Sequence, residues 1–294
     1  MKNVKIVKSL GKGSMGKVDL IKYKDKYYAI KKIPKTLTKR EQINESLKNE
    51  VEMLNKLKNK HIINLLKVSD DYYFHYLTLE YCNGNTLLLC LKKYMEKYKA
   101  PFPETIVQYL MKQIVDGLQC IHQHGIIHRN MKLENILVKF PTKEDMMKAE
   151  LKISDFSIAI KAEIAYTLIE ADVYLDPIIL KKKNERNDLK NSDGYDKSAD
   201  IWSLGAICYE MLTGSKVFNG RNQKDLFNKV EKGNITLPSY LSKEVISFLL
   251  GMLQYTPNKR LNIEQLSKHE FLNKNVKDFK PVDLNLFDNT NGVN

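Results

Sequence analysis

Three glycines, Gly11, Gly13 and Gly16, punctuate the stretch LGKGSMGKV. Glycine carries no side chain, so backbone amides in such a loop can approach phosphate oxygens closely. The same spacing serves dinucleotide-binding folds, where it opens a helix. Here the glycines lie between two strand-like runs, which points to a hairpin; a plain glycine-rich turn is the alternative. Lys31 follows in YAIKK, closing a strand-like A-x-K. A lysine there could hold phosphate oxygens as a point charge, although a chain this rich in lysine has many that simply face solvent. Glu50 is a carboxylate that could pair with Lys31; the alternative is one more solvated helix carboxylate, like Glu52.

The elements that must position these residues show in the periodicity. VKIVKSL, GKVDLIKY, KYYAIKKI and HYLTLEY are short β-branched or aromatic runs that read as strands. Between them, Ile43, Leu47, Val51, Leu54 and Leu57 fall at helical spacing and predict one long amphipathic helix that carries Glu50. After Gly84 the pattern becomes mainly helical. PETIVQYLMKQIVDGLQCIHQHG begins near Pro103 and ends at Gly125; SADIWSLGAICYEMLTG has Ser198 as its expected N-cap and Gly214 beyond its end. KDLFNKVEKG and SKEVISFLLGMLQ follow as further helices. A sheet-rich first part and a helical second part make an α+β chain in two lobes.

The 294 residues are 43% hydrophobic and 28% charged, enough for a sizeable core and too apolar for a disordered chain. The longest apolar run, IWSLGAICYEML, is too short and too polar to span a bilayer, so no transmembrane segment is expected. MKNVKIVKSLGKG lacks the apolar core of a signal peptide. Cys82, Cys90, Cys120 and Cys208 form no C-x-x-C pair, which argues for reduced thiols in an intracellular, cytoplasmic setting. The net charge is +13, but the lysines are scattered and no basic run is interleaved with aromatics, so no nucleic-acid partner is expected. The segment 181–194 reads as an exposed polar insertion, and the end as a frayed polar tail.

The ordered set LGKGSMGKV, YAIKK, HRNMKLEN, SDFS and ADIWSLG resembles a eukaryotic protein kinase domain of the serine/threonine type over nearly the whole chain. The resemblance implies a bilobal fold: an antiparallel β-sheet N-lobe with one long helix (1–79), a hinge (80–84) and a mainly helical C-lobe (85–272), then a polar tail (273–294). It implies ATP and Mg2+ as cofactors. Gly11, Gly13 and Gly16 would cover the phosphates, and Lys31 would contact them while paired with Glu50. Val18 and Ala29 would lie above the adenine and Leu137 below it, with Leu79 at the back of the pocket. Glu80, Tyr81 and Cys82 would form the hinge that meets the adenine edge. Asn135 and Asp155 match the magnesium ligands, and Lys132 the lysine that steadies the transferring phosphate. Leu54, Leu65, His128 and Phe156 would stack as a structural column, and Asp200 would anchor the catalytic loop through backbone amides. The stretch from GNITLPSYLSKE to HEFL is similar to the C-lobes of calcium/calmodulin-dependent and autophagy-initiating kinases.

Four departures cluster on the substrate side. Asn130 replaces the aspartate that accepts the substrate hydroxyl proton. An amide has no useful basicity, and general-base assistance is typically worth about 10²–10⁴-fold. Ser157 replaces the glycine of D-F-G, which should redistribute the inward and outward states of Asp155, since serine resists positive φ. Ala171 stands where a threonine normally bonds the catalytic residues. A-P-E reads DPI at 176–178, leaving Arg260 without its usual glutamate; Asp176 as substitute, or hydration, is expected to satisfy it. The expectation is a regulatory pseudokinase that binds Mg-ATP and a protein partner. The alternatives are an active serine/threonine kinase, natural or with an engineered aspartate-to-asparagine change at 130, and a scaffold that binds no nucleotide. Thr167, Tyr166 and Arg129 leave room for activation-loop phosphorylation.

Overall fold

The structure, a computed structural model, describes residues 4–13, 15–141, 149–167, 173–184 and 194–273. Strands β1 (Val4–Gly13), β2 (Gly16–Tyr23) and β3 (Lys26–Pro34) form an antiparallel meander. Pro34 ends β3, because proline cannot donate to a further rung of the ladder. A single turn, α1 (Lys35–Thr38), leads into α2 (Glu41–Lys56). Strands β4 (Leu65–Asp70) and β5 (Phe74–Glu80) complete a five-stranded sheet in the order β1-β2-β3-β5-β4. Helix α2 buries Leu47, Glu50, Met53 and Leu54, so its apolar stripe also brings a carboxylate inward. Strand β4 was not separately expected. Only Leu65 of its residues is buried, so it lacks the alternation that marks a half-buried strand.

The second lobe is helical. Helix α3 (Leu87–Tyr98) starts at Thr86, whose side chain accepts the Leu89 amide, and was not foreseen behind its run of leucines. Helix α4 (Glu104–Gln123) is the central support. It buries Ile106, Leu110, Ile114 and Leu118 among others, each worth about 1.5–3 kcal/mol of transfer free energy. The short strands β6 (Ile126–Ile127), β7 (Ile136–Lys139), β8 (Glu150–Ile153) and β9 (Ile160–Lys161) pair as β6-β9 and β7-β8 beneath the sheet. They frame the two loops that carry HRNMKLEN and SDFS.

Helices α5 (Pro177–Asn184), α6 (Ser198–Thr213), α7 (Gln223–Lys232), α8 (Lys243–Met252), α9 (Ile263–Ser267) and α10 (Glu270–Asn273) complete the lobe. Ser198 is the first residue of α6 and not its N-cap. Asp196 does the capping: its carboxylate accepts both the Ser198 amide (2.9 Å) and the Ser198 hydroxyl (2.5 Å). Gly214 ends α6 in the left-handed conformation, as expected. The expected insertion at 181–194 begins inside α5; most of it lies outside the described residues, as do Ala171 and the tail beyond Asn273. No described helix is long and apolar enough to cross a membrane.

Candidate nucleotide site between the lobes

A cleft of about 440 Å³ opens between the sheet and the helical lobe. Gly11, Gly13, Gly16, Val18, Ala29, Lys31, Glu50, Leu79, Glu80, Cys82, Asn135, Leu137 and Asp155 all line it. Asn130 and Lys132 lie outside its lining, on the loop that carries HRNMKLEN. Sequence reasoning missed Leu10, Met15, Ile63, Thr86 and Ser154, which also line the cleft. Leu10 and Met15 flank the glycines and could have been read by adjacency. Ser154 precedes Asp155 in SDFS and could have been read in the same way, whereas Ile63 and Thr86 arrive through tertiary packing.

The three glycines are not equivalent. A Cβ on Gly16 would sit 2.0 Å from the Lys32 carbonyl oxygen, so β2 can lie against β3 there only without a side chain. A Cβ on Gly11 would meet nothing within 4 Å, and one on Gly13 only the Gly16 carbonyl oxygen at 4.0 Å. Gly16 therefore serves the sheet as well as the cleft.

Lys31 projects from β3 and meets Glu50 from α2 with two short hydrogen bonds, 2.6 Å to Oε2 and 2.9 Å to Oε1. Burial pushes the Glu50 carboxyl above its ordinary value; the Lys31 charge opposes that shift and the nearby Asp155 charge adds to it. Glu80, at the end of β5, acts through its side chain. Its carboxylate holds Lys139 of β7 at 2.9 Å and Lys152 of β8 at 3.3 Å, and accepts the Asn64 amide at 3.0 Å. Burial works to raise the Glu80 carboxyl, but these lysines outweigh it and leave the group below its ordinary value. One side chain thus ties the end of the sheet to the two strands beneath the cleft.

The catalytic-loop segment is anchored from α6. Asp200 accepts the backbone amides of His128 (2.9 Å) and Arg129 (2.8 Å), and its Oδ2 lies 2.9 Å from His122 Nε2. Leu54, Leu65, His128 and Phe156 are all buried, and the His128 and Phe156 rings meet edge to face at 4.8 Å. Burial pushes the His128 imidazole below its ordinary value, which suits a neutral packing ring and not an acid–base group. The Asn135 side-chain amide donates to the Asn130 carbonyl at 2.9 Å, which leaves Asn135 Oδ1 as its free oxygen among the described residues.

Asp155 sits just after β8 with φ of 64°, and both its oxygens are engaged. Asn130 Nδ2 donates to Oδ2 at 2.7 Å; Ser157 Oγ donates to Oδ1 at 2.7 Å. The left-handed residue is Asp155 itself, and Ser157 has no positive φ. In this conformation Ser157 meets no left-handed backbone penalty, and its hydroxyl is the group that touches Asp155. A hard divalent cation such as Mg2+ takes oxygen ligands from one or two side chains plus phosphates. Asp155 and Asn135 both line the cleft and carry such oxygens, so the residues present fit the ion. When bound, it would neutralise charge on the phosphates.

On the substrate side, the Arg129 guanidinium reaches the Thr167 hydroxyl and, at 3.2 Å, the Tyr195 hydroxyl. The Tyr195 hydroxyl in turn donates to the Thr167 carbonyl at 2.8 Å. Arg260 is buried and pairs with buried Asp176. Of the two solutions expected for Arg260, the structure has the acidic substitute: Asp176 replaces the missing glutamate from two positions earlier.

The model of the family described as protein kinase domain matches residues 4–272. Calcium-dependent protein kinase 4 of Plasmodium falciparum is 33% identical over 278 residues, covering 90% of this chain and 48% of that protein. Serine/threonine-protein kinase atg1 of Dictyostelium discoideum is 31% identical, covering 82% of this chain and 34% of that protein. CBL-interacting protein kinase 21 of Oryza sativa subsp. japonica is 30% identical, covering 94% and 50%. The chain thus spans half or less of the length of these relatives. With the glycine hairpin, the Lys31–Glu50 pair and the Asp200-anchored loop in one cleft, the chain belongs to the protein kinase domain family, in its eukaryotic serine/threonine branch.

Proposed function

We propose that this domain binds Mg-ATP and acts as a regulatory pseudokinase, transferring phosphate to serine or threonine weakly or not at all. The observation that carries this reading is the direction of the Asn130 side chain. Its amide group is spent as a donor to Asp155, and no carboxylate stands at the position that would take the substrate hydroxyl proton. Loss of general-base assistance costs about 10²–10⁴-fold, while phosphoryl transfer depends mainly on positioning and charge stabilisation, so a residual rate is consistent with this site. On the nucleotide side, Val18, Ala29 and Leu137 provide the apolar walls, Leu79 the back, Glu80 and Cys82 the hinge, and Lys31 the cation. Lys132 would steady the phosphate that moves. Regulation would run through a protein partner and not nucleic acid. The four free cysteines fit a reducing, cytoplasmic setting.

A second reading is an active serine/threonine kinase, natural or carrying an engineered asparagine at 130. The assembled Lys31–Glu50 pair and the cleft-facing Asp155 favour it. Transfer of radiolabelled phosphate to a generic protein substrate, by this chain and by Asn130→Asp, separates the two. No transfer by the unaltered chain, together with a thermal shift from ATP plus Mg2+, supports the pseudokinase. Turnover by the unaltered chain refutes it.

A further inference from the structure

Resting on the nucleotide-binding reading above, we propose that Asn130 and Ser157 are positioning residues that take over part of the cation's work on Asp155. The cleft then binds ATP with little dependence on Mg2+. Two departures that look unrelated in sequence converge on one carboxylate. Asn130 Nδ2 donates to Oδ2 and Ser157 Oγ donates to Oδ1, each at 2.7 Å. Neither an aspartate at 130 nor a glycine at 157 could donate either bond from its side chain at neutral pH. Two carboxylates in that geometry would repel each other unless a cation lay between them; the amide bridges the gap directly. The Asn130 backbone is held as well, by its carbonyl to Asn135 Nδ2 (2.9 Å) and its amide to His128 Nδ1 (3.2 Å).

Two consequences for a divalent ion follow. Replacing a carboxylate by an amide removes one negative charge beside Asp155, which weakens attraction for the ion and lessens repulsion of phosphates that arrive without it. The two donors also direct their positive ends at the oxygens the ion would use, so it must share or displace them. Asp155 nevertheless stays in place, because the protein already satisfies it. Lys31 remains available to offset phosphate charge.

Isothermal titration calorimetry with ATP, in excess Mg2+ and in EDTA, tests this on three chains: the unaltered protein, the double variant Asn130→Asp/Ser157→Gly, and Ser157→Ala. The expected result is a pair of dissociation constants within about threefold of each other for the unaltered protein, and about tenfold or more tighter with Mg2+ for the double variant. Ser157→Ala removes one donor with little change in backbone freedom, and is expected to widen the ratio partway. It keeps the test decisive if the double variant does not fold. An unaltered chain that loses affinity in EDTA by tenfold or more overturns this inference and leaves nucleotide binding standing. A ratio unmoved by Ser157→Ala also counts against it. Absence of ATP binding in both conditions defeats the nucleotide reading itself, and this inference with it.

Discussion

Arg260 and Asp176, separated by 84 residues in sequence, form an ion pair buried inside the helical lobe. The same guanidinium donates to the Ser198 carbonyl at 2.8 Å and to the Gln254 carbonyl at 2.7 Å, and lies 5.2 Å from the Trp202 ring. Asp176 is also tied down, because its Oδ1 accepts the Ile178 amide at 2.7 Å. The pair joins the start of α5 to the start of α6 and to the chain before α9.

Removing one partner of a buried pair leaves an uncompensated charge, which typically costs about 3–5 kcal/mol. Asp176→Ala is expected to lower stability by that amount in urea unfolding. Asp176→Ala combined with Arg260→Met should recover a large part of the loss, because no buried charge is then orphaned. A single variant that unfolds at the same urea concentration as the parent would contradict the pairing.

The glycine hairpin makes a contrasting prediction. Gly16→Ala must push β2 away from the Lys32 carbonyl, whereas a methyl on Gly11 meets no neighbour. Strain of this kind typically costs about 1–3 kcal/mol. Thermal unfolding should therefore show a clear loss for Gly16→Ala and little change for Gly11→Ala. Equal losses would mean that the two glycines answer to the same constraint, contrary to the geometry.

Asp200 should contribute to acid sensitivity. Burial works to raise its carboxyl, but hydrogen bonding and charge from His122 and the amide of His128 hold it below its ordinary value of 3.8. A carboxyl depressed in the folded state contributes stability above its unfolded value, and that contribution is lost as pH falls through the folded value. The unfolded chain takes up the proton first, so stability declines with falling pH below about pH 4. Asp200→Asn should be less stable than the parent at pH 7 and lose less of its remaining stability on acidification. Urea titrations at pH 7 and pH 3 check both; a steeper acid loss in the variant would reverse the sign.

Much of the site was legible because it rests on local spacing. The glycines of LGKGSMGKV fall in a hairpin, Lys31 on a strand and Glu50 on the inward face of a helix, each readable from neighbours a few residues away. Strand β4 escaped because its side chains do not alternate in burial, and the capping role of Asp196 was hidden by the better-known preference for serine. The contact made by Ser157 is not legible in its residue type. Its residue type suggested a backbone penalty, but the backbone places the positive φ at Asp155, and the hydroxyl two residues on closes a local hydrogen bond.

By itself the sequence determined a sheet-rich first part, a helical second part and, through the resemblance of its ordered motifs, the bilobal kinase fold and many of the residues that line the cleft. The elements follow from residue types and short-range periodicity, which are written locally. Only the tertiary structure decided what the replacements do. That Asn130 reaches the carboxylate which Ser157 holds locally, that Asp176 reaches Arg260, and that Glu80 ties the sheet to β7 and β8 depend on side chains meeting across separate elements of the chain. Hydrogen bonds and ion pairs of this kind act over a few ångströms, and it is tertiary packing, within the helical lobe and between it and the end of the sheet, that brings those atoms within that range.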